Sequence, residues 1–177
     1  VYFPNITESL IKDLEKLNDS KKLSEKIRNN LFDIIINNSV NSIINIEVEE
    51  IEKINILNSS LKAMKLACES VISKSKISDF ITLVDGNNKI REYIYPQKSI
   101  IKGDAKSASI AAASILAKVS RDRYMTELAA VYPQYGWDKN FGYLTPEHLE
   151  AIDEYGLTKF HRASFLEKHF NKQLSLF

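Results

Sequence analysis

Two acidic residues stand at positions where a carboxylate can do chemistry. Asp85 ends the apolar run ISDFITLV, and Asp104 lies in IIKGDAKSAS, just before a helix-like stretch of small residues. Open α/β sheets place ligands at the carboxyl ends of their strands, and a helix start offers free backbone N–H groups. Taken alone, Asp104 is equally well explained as a surface acid at a helix start. Together the two acids favour a shared site for Mg²⁺ or Mn²⁺, the ions that carboxylates bind and that act on phosphates.

Basic residues surround these acids in the sequence. Lysine and arginine side chains can meet the phosphates of a substrate bound there. The alternative is a solvated basic face, which we favour for most of these residues. The six residues are Lys98, Lys102, Lys106, Lys118, Arg121 and Arg123. Ser107, which follows Asp104 closely, is expected to cap the next helix.

Helical and strand patterns alternate along the chain. Apolar residues recur at helical spacing in several segments, and apolar runs bounded by turn residues indicate strands. Helices are predicted at 7–16, 24–38, 55–74, 146–154 and 162–170, with a long one from the small residues after Asp104 to about 130. Strands or extended pieces are predicted at 40–48, in the run ending at Asp85, at 91–95 and at 98–101. The alternation predicts one α/β domain with a mixed sheet flanked by helices.

The composition is that of an ordinary globular domain. The 177 residues are 44% hydrophobic and 27% charged, and 24 Lys and Arg nearly balance 23 Asp and Glu. The net charge therefore gives no indication of nucleic-acid binding, and any basic surface that binds nucleic acid has to be local. A single cysteine, Cys68, and the lack of a long apolar run or a signal-like start predict a cytoplasmic protein without a membrane segment.

Several motifs, in order along the chain, resemble those of bacterial ribonuclease HII. They are LNDSKKLSEKIR (17–28), INIL (54–57), LVDGN (83–87), KGDAKSASIAAASILAKVSRDRYM (102–125) and FGYLTPEHL with YGLTKFHRASF (141–165). The resemblance implies a ribonuclease-H-like fold and cleavage of RNA in RNA–DNA hybrids and of duplex DNA at embedded ribonucleotides. It also implies hydrolysis with two divalent metals, Mn²⁺ or Mg²⁺, held by four carboxylates. Asp85 matches the third of these acids and Asp104 the fourth.

The segment that carries the family's first two acids has no counterpart in this sequence. That segment, of the DEAGRG type, lies on the first strand of the family's sheet, and we expect it to precede Val1. Residues 1–170 are then a ribonuclease-H-like domain incomplete at its amino end, and residues 1–177 alone are expected to be inactive. A non-catalytic, clamp-tethered nucleic-acid-binding module is the alternative. A small-molecule phosphohydrolase on the same fold is a third hypothesis.

The resemblance also implies substrate-binding residues. Lys21 matches a lysine near the scissile phosphate, and Lys106 and Ser107 lie in the KGDAKS motif. Tyr143 matches a tyrosine that stacks on the sugar at the RNA–DNA junction, where its hydroxyl can meet a 2′-OH. The preceding DKNF departs from the family's HKGY pattern. His161 and Arg162 match an HRRSF element with a structural or phosphate-facing role.

Aromatic residues around Tyr143 have a plainer interpretation. Tyr135, Trp137 and Phe141 lie in the turn-rich stretch YPQYGWDKNFGYLTP, and we predict loop packing for them rather than base stacking. Tyr143 is the aromatic residue of this stretch that we assign to the substrate.

The carboxyl-terminal tail, residues 171–177, ends in QLSLF. Apolar residues at a terminus favour a partner, and this pentapeptide is similar to the motif that binds the bacterial sliding clamp. The predicted clamp-binding residues are Gln173, Leu174, Leu176 and Phe177. Packing of the tail onto the domain itself is the alternative. The protein is otherwise expected to be a monomer.

Overall fold

The computed structural model describes residues 1–17 and 23–167. Lys21 and the tail residues Gln173, Leu174, Leu176 and Phe177 lie outside this part of the chain, so their predicted roles rest on the sequence. Within it the helices are α1 (Glu8–Leu14), α2 (Glu25–Asn38), α3 (Val48–Ser75), α4 (Ala108–Val131), α5 (Trp137–Asn140) and α6 (Pro146–Tyr155). The strands there are β1 (Thr82–Asp85) and β2 (Gln97–Ile100), and 3₁₀ turns occur at Gly103–Ala105, Pro133–Tyr135 and Ala163–Phe165. The predicted α/β class is confirmed: the chain is mostly helical, with a small parallel sheet.

Hydroxyl side chains set the starts of four helices. Thr7, Ser24 and Thr145 each accept a hydrogen bond from the backbone N–H three residues later, which satisfies a donor that the helix itself leaves free. Ser107 does the same for the N–H of Ile110 at 3.5 Å, at the start of α4. The predicted capping role of Ser107 is therefore confirmed.

Strands β1 and β2 pair in parallel, with Asp85 opposite Ile100. The irregular connection between them is held by Gln97, whose amide accepts from the Ile90 N–H at 2.7 Å and donates to the Ile90 carbonyl at 3.0 Å. Ile90 and Tyr93 are buried in a cluster with Val84. The prediction of an extended piece at 91–95 was wrong, because this segment closes over the cluster in turns, whereas the piece at 98–101 is confirmed as β2.

The predicted strand at 40–48 was also wrong. Val40 forms one antiparallel bridge with Tyr2, and the following residues have no regular structure until α3 begins at Val48. The side chain of Asn41 donates to the carbonyls of Ile36 and Ser39 at 3.4 and 3.2 Å, which turns the chain back toward the end of α2. Ile44, Ile46 and Val48 have the spacing of one face of a strand, but in the described part of the chain these residues do not pair with a strand.

Helix α3 begins earlier than the prediction of 55–74. Asn55 interrupts it with φ 66° and ψ 167°, a strained backbone region that residues other than glycine rarely adopt. Its side chain accepts from the Asn58 N–H at 3.1 Å and so caps the second segment. Of the helix predicted at 162–170, the described residues contain the 3₁₀ turn Ala163–Phe165.

The chain forms two compact units. The first comprises 1–44 and 61–124, and the second comprises 45–60 and the described residues from Met125 onward. The main core of the first unit consists of Phe3, Leu10, Leu31, Ile35, Ala112, Ile115, Leu116 and Val119. The second unit buries Trp137, His148, Ile152, His161 and Leu166. In the described part of the chain, no helix is long and apolar enough to cross a membrane.

Candidate active site

Gly103 connects the two predicted metal ligands. Asp85 ends β1 with its side chain exposed, and its Oδ1 accepts a hydrogen bond from the Gly103 N–H at 2.8 Å. Asp104 is the next residue, and its own Oδ1 accepts from the Ala105 N–H at 2.9 Å. The structure thus places the Asp85 carboxylate at the carboxyl edge of the sheet, against the backbone directly before Asp104.

The parallel register produces this arrangement. Because Asp85 lies opposite Ile100, β1 and β2 end at the same edge, and the Gly86 N–H still donates to the Ile100 carbonyl at 3.0 Å. Lys102 then takes a left-handed conformation, with φ 55° and ψ 49°, and starts the 3₁₀ turn that contains Asp104. Two carbonyl-directed bonds, from the N–H groups of Lys106 and Ser107 to Gly103, lead the chain into α4.

Position 103 has too little room for a side chain, which explains why a glycine is found there. It is buried, and a β-carbon on it would lie 2.6 Å from Ile110 Cδ1 and 3.1 Å from Asp85 Oδ1. Any side chain here would therefore press on the catalytic candidate Asp85 itself. Sequence reasoning missed this residue, although a glycine directly before an acid at a strand–helix junction was a usable signal.

The carboxylate oxygens at this edge of the sheet are of the kind that bind a divalent metal. Mg²⁺ is commonly held by one or two carboxylates together with several waters, and Asp85 and Asp104 offer two. Among residues 1–17 and 23–167, no group of three or more His, Cys, Asp or Glu side chains is arranged to hold a metal. Asp85 and Asp104 are therefore the candidates for such a site in the described part of the chain.

The six basic residues separate into two groups. Lys98, Lys102 and Lys106 are exposed close to the acids in the chain, and Lys106 Nζ donates to the Ile101 carbonyl at 2.9 Å. The other three lie on α4 and have contacts of their own. Lys118 pairs with Asp122 at 2.7 Å, the Arg121 guanidinium lies 5.8 Å from the ring of Tyr124, and that of Arg123 lies 4.3 Å from the ring of Phe32. The first group is the better candidate for phosphate contacts.

Tyr143 belongs to the second unit, where its side chain is 68% exposed. Its backbone is nevertheless fixed: the Tyr143 N–H donates to the Asn140 carbonyl at 2.8 Å, and its carbonyl accepts from the Thr145 N–H at 2.9 Å. Asn140 also accepts from the Gly142 N–H at 2.8 Å and donates to the Tyr135 carbonyl at 2.7 Å. Asn140, where the sequence departs from the family pattern, therefore organises this loop.

Two buried histidines pack behind the Tyr143 loop. His148 Nε2 lies 3.1 Å from Trp137 Nε1 and 3.2 Å from His161 Nε2, while His148 Nδ1 lies 2.9 Å from the Tyr143 carbonyl. Trp137 and Tyr135 are buried and stack with ring centroids 5.0 Å apart, which confirms the predicted packing role of both. Sequence reasoning missed His148, and its signal was a histidine on the apolar face of α6 beside Ala151 and Ile152.

His161 has a structural role. It is buried in the aromatic cluster, and its Nδ1 accepts from the Thr158 N–H at 2.9 Å. The neighbouring Arg162 lies over the ring of Phe165 at 4.1 Å. Glu52 accepts from both the backbone N–H and the hydroxyl of Ser164, at 3.1 and 2.8 Å, and so holds this turn.

Burial makes the stability of this cluster depend on pH. Desolvation, helped by the neighbouring His148 ring, lowers the pKa of His161 from 6.5 to about 4. The unfolded chain therefore takes up a proton at a pH where the folded one does not. The contribution of His161 to the free energy of unfolding is largest above pH 6.5 and should fall by about 2 kcal/mol as the pH drops toward 4.

Urea unfolding at pH 7 and at pH 4.5 measures this loss. The His161→Gln variant keeps an N–H donor near the position of Nε2 but does not titrate, so its pH dependence should be clearly smaller. An unchanged pH dependence in the variant would assign the effect to other groups.

Known proteins match this chain over most of its length. A family profile described as Ribonuclease HII matches residues 1–168. The Ribonuclease HII of Fusobacterium nucleatum subsp. nucleatum is 49% identical over 164 residues, which cover 92% of this chain and 76% of the relative. That of Pelagibacter ubique is 48% identical over 153 residues, or 86% and 80% of the two chains. That of Rickettsia akari is 50% identical over 149 residues, or 84% and 74%.

Proposed function

The chain belongs to the ribonuclease HII family, a family of ribonucleases, and from this premise we propose that it cleaves RNA in RNA–DNA hybrids and duplex DNA at embedded ribonucleotides. Two carboxylates support this most: that of Asp85, which accepts from the Gly103 N–H at the sheet edge, and that of Asp104, the residue directly after Gly103. Both are oxygen ligands of the kind that phosphodiester hydrolysis with hard divalent metals requires.

Asp85 and Asp104 would hold Mg²⁺ or Mn²⁺, and a bound pair of ions would supply an activated water and stabilise the leaving 3′ oxygen. The residues of the chain bind and orient the nucleic acid. Lys98, Lys102 and Lys106 place positive charge beside the acids, where the phosphates of the backbone need it. Lys106 and the Ser107 hydroxyl are proposed to contact the strand at the cleavage point.

Cleavage of three labelled duplexes tests this function. The protein to use is the full-length protein, meaning residues 1–177 together with any residues encoded before Val1. Duplex DNA with one ribonucleotide and an RNA–DNA hybrid should be cut when Mg²⁺ or Mn²⁺ is present, while all-DNA duplex should stay intact. Tight binding without any cleavage would favour the non-catalytic module instead, and hydrolysis of small phosphomonoesters alone would favour the phosphohydrolase. Residues 1–177 on their own are proposed to bind without cutting, because they carry two of the four expected acids.

Tyr143→Ala tests the proposed contact with the ribonucleotide. The phenol is exposed on a fixed backbone, so its removal should leave the loop intact while deleting the surface that meets the sugar. We define ribonucleotide selectivity as the Kd for all-DNA duplex divided by the Kd for the same duplex with one ribonucleotide. It should fall by about tenfold, in line with the loss of an aromatic stacking contact. Equal weakening on both duplexes would return Tyr143 to a packing role.

The tail is proposed to bind the sliding clamp. Its glutamine, its first leucine and its final Leu-Phe pair match the positions that fill an apolar pocket in clamp-binding peptides. A peptide of residues 171–177 should bind the clamp of the same organism with a micromolar Kd, about −8 kcal/mol. The same peptide with Leu176 and Phe177 changed to alanine is the control. Equal binding of both, or of neither at high micromolar concentration, would contradict a clamp contact.

A further inference from the structure

We propose that His148 is a positioning residue for Tyr143, holding the Tyr143 carbonyl through its Nδ1–H and thereby setting ribonucleotide selectivity. The role rests on the proposed contact of Tyr143 with the ribonucleotide. It concerns the second compact unit alone, where His148 lies in the first turn of α6 and Tyr143 in the loop just before that helix.

The position of each ring proton follows from the fixed donors and acceptors around the two histidines. The Tyr143 carbonyl can only accept, so His148 Nδ1, at 2.9 Å, carries the proton. The backbone N–H of Thr158 can only donate, so His161 Nδ1 accepts and its proton is on Nε2. His161 Nε2–H then donates to His148 Nε2 across 3.2 Å.

The indole of Trp137 completes this assignment. Its N–H can only donate, and it lies 3.1 Å from the same His148 Nε2. A proton on that nitrogen would face two donors and have no acceptor, which is costly in a buried cluster. Trp137 and His161 together therefore keep the proton of His148 on Nδ1, where it reaches Tyr143. The lowered pKa of His161 agrees with a neutral ring.

The result is a tyrosine whose backbone is held from several sides while its side chain is exposed. Its carbonyl accepts from both Thr145 N–H and His148, and Asn140 binds its N–H. His148 is itself anchored, since its backbone N–H donates to the capping hydroxyl of Thr145 at 3.3 Å. A contact residue discriminates substrates best when the groups behind it fix its position. His148 provides that support from a buried position.

Duplex binding by the full-length protein tests the proposal, in a background with Asp85→Asn and Asp104→Asn so that the duplex stays intact. His148→Leu should lower ribonucleotide selectivity about fivefold, the effect of losing one buried hydrogen bond, with little change in affinity for all-DNA duplex. His148→Asn, whose amide N–H can replace Nδ1–H, should keep most of the selectivity. Ile152→Val, a packing change one turn further along α6, should leave selectivity unchanged.

A double variant separates positioning from plain stability. If His148 acts through Tyr143, adding His148→Leu to Tyr143→Ala should cause no further loss of selectivity. Normal selectivity in His148→Leu, while Tyr143→Ala loses it, would overturn the positioning role alone. Normal selectivity in Tyr143→Ala would instead overturn the proposed role of Tyr143, and the positioning role with it.

Nitrogen-15 NMR of the unmutated full-length protein tests the same proposal without depending on the folding of any variant. At neutral pH the imidazole of His148 should carry its proton on Nδ1 and that of His161 on Nε2. A proton on His148 Nε2 would overturn the proposal, because Nδ1 would then have nothing to donate to Tyr143.

Discussion

Asp85→Asn and Asp104→Asn should each lower kcat of the full-length protein by several orders of magnitude while leaving it folded. Asparagine has the shape of aspartate, and its side-chain oxygen can still accept the Gly103 N–H in the first case and the Ala105 N–H in the second. What each change removes is a negative charge from the oxygen ligands of the proposed metal site. Both variants should therefore lose activity while they remain folded.

Single-turnover cleavage of a duplex with one ribonucleotide measures the first effect, and the thermal unfolding midpoint measures the second. Asp13→Asn is the matched control, because Asp13 pairs with Lys16 at the surface, at 2.9 Å, and has no part in the site. It should cut at the parental rate. Near-parental cleavage by either site variant would remove that residue from the set of ligands.

Gly103→Ala should lower both activity and stability. The added methyl group would lie 3.1 Å from Asp85 Oδ1 and 2.6 Å from Ile110 Cδ1, so both neighbours must move. Misplacing a reacting group by about 1 Å can cost roughly 100-fold in rate, and overpacking a core typically costs about 1–3 kcal/mol of stability. We expect a loss of kcat between about tenfold and 100-fold.

A second change distinguishes the two contacts of Gly103. Ile110→Val removes Cδ1, the nearer atom, so Gly103→Ala with Ile110→Val should be less destabilised than the sum of the single variants. Its activity should stay low, because the contact with Asp85 remains. Full activity in Gly103→Ala, measured with the same duplex, would show that Asp85 tolerates displacement.

The sequence singled out the two acids as candidates because their positions follow from local rules. An acid at the end of a strand and an acid just before a helix can both be recognised in the sequence. Parallel strands also end at the same edge of a sheet. The contact between Asp85 and the Gly103 N–H is not visible there, since it depends on the register of β1 against β2 and on the left-handed turn at Lys102. How close Asp85 and Gly103 come depends on how the two strands pair. The spacing of residues along the sequence does not determine that pairing.

Errors in the predicted elements have physical reasons as well. Ile44, Ile46 and Val48 have strand-like spacing, but the side-chain bonds of Asn41 turn the chain back toward the end of α2. In the sequence, Asn55 does not differ visibly from its helical neighbours. In the structure its φ is positive, and its side chain caps the second segment of α3. His148 went unnoticed because its position on the apolar face of α6 does not reveal which group its ring contacts. That group is the Tyr143 carbonyl, five residues earlier.

The hydrogen bond between Gly103 and Asp85 also affects the entropy of ligand binding. A carboxylate side chain in water rotates among several conformers, and immobilising a rotatable side chain typically costs about 0.5–1.5 kcal/mol. Here the backbone N–H holds one oxygen of Asp85 before any ligand arrives. The loss of rotational freedom therefore belongs to the folding equilibrium rather than to binding, and an ion bound at the proposed site would meet a carboxylate that is already oriented.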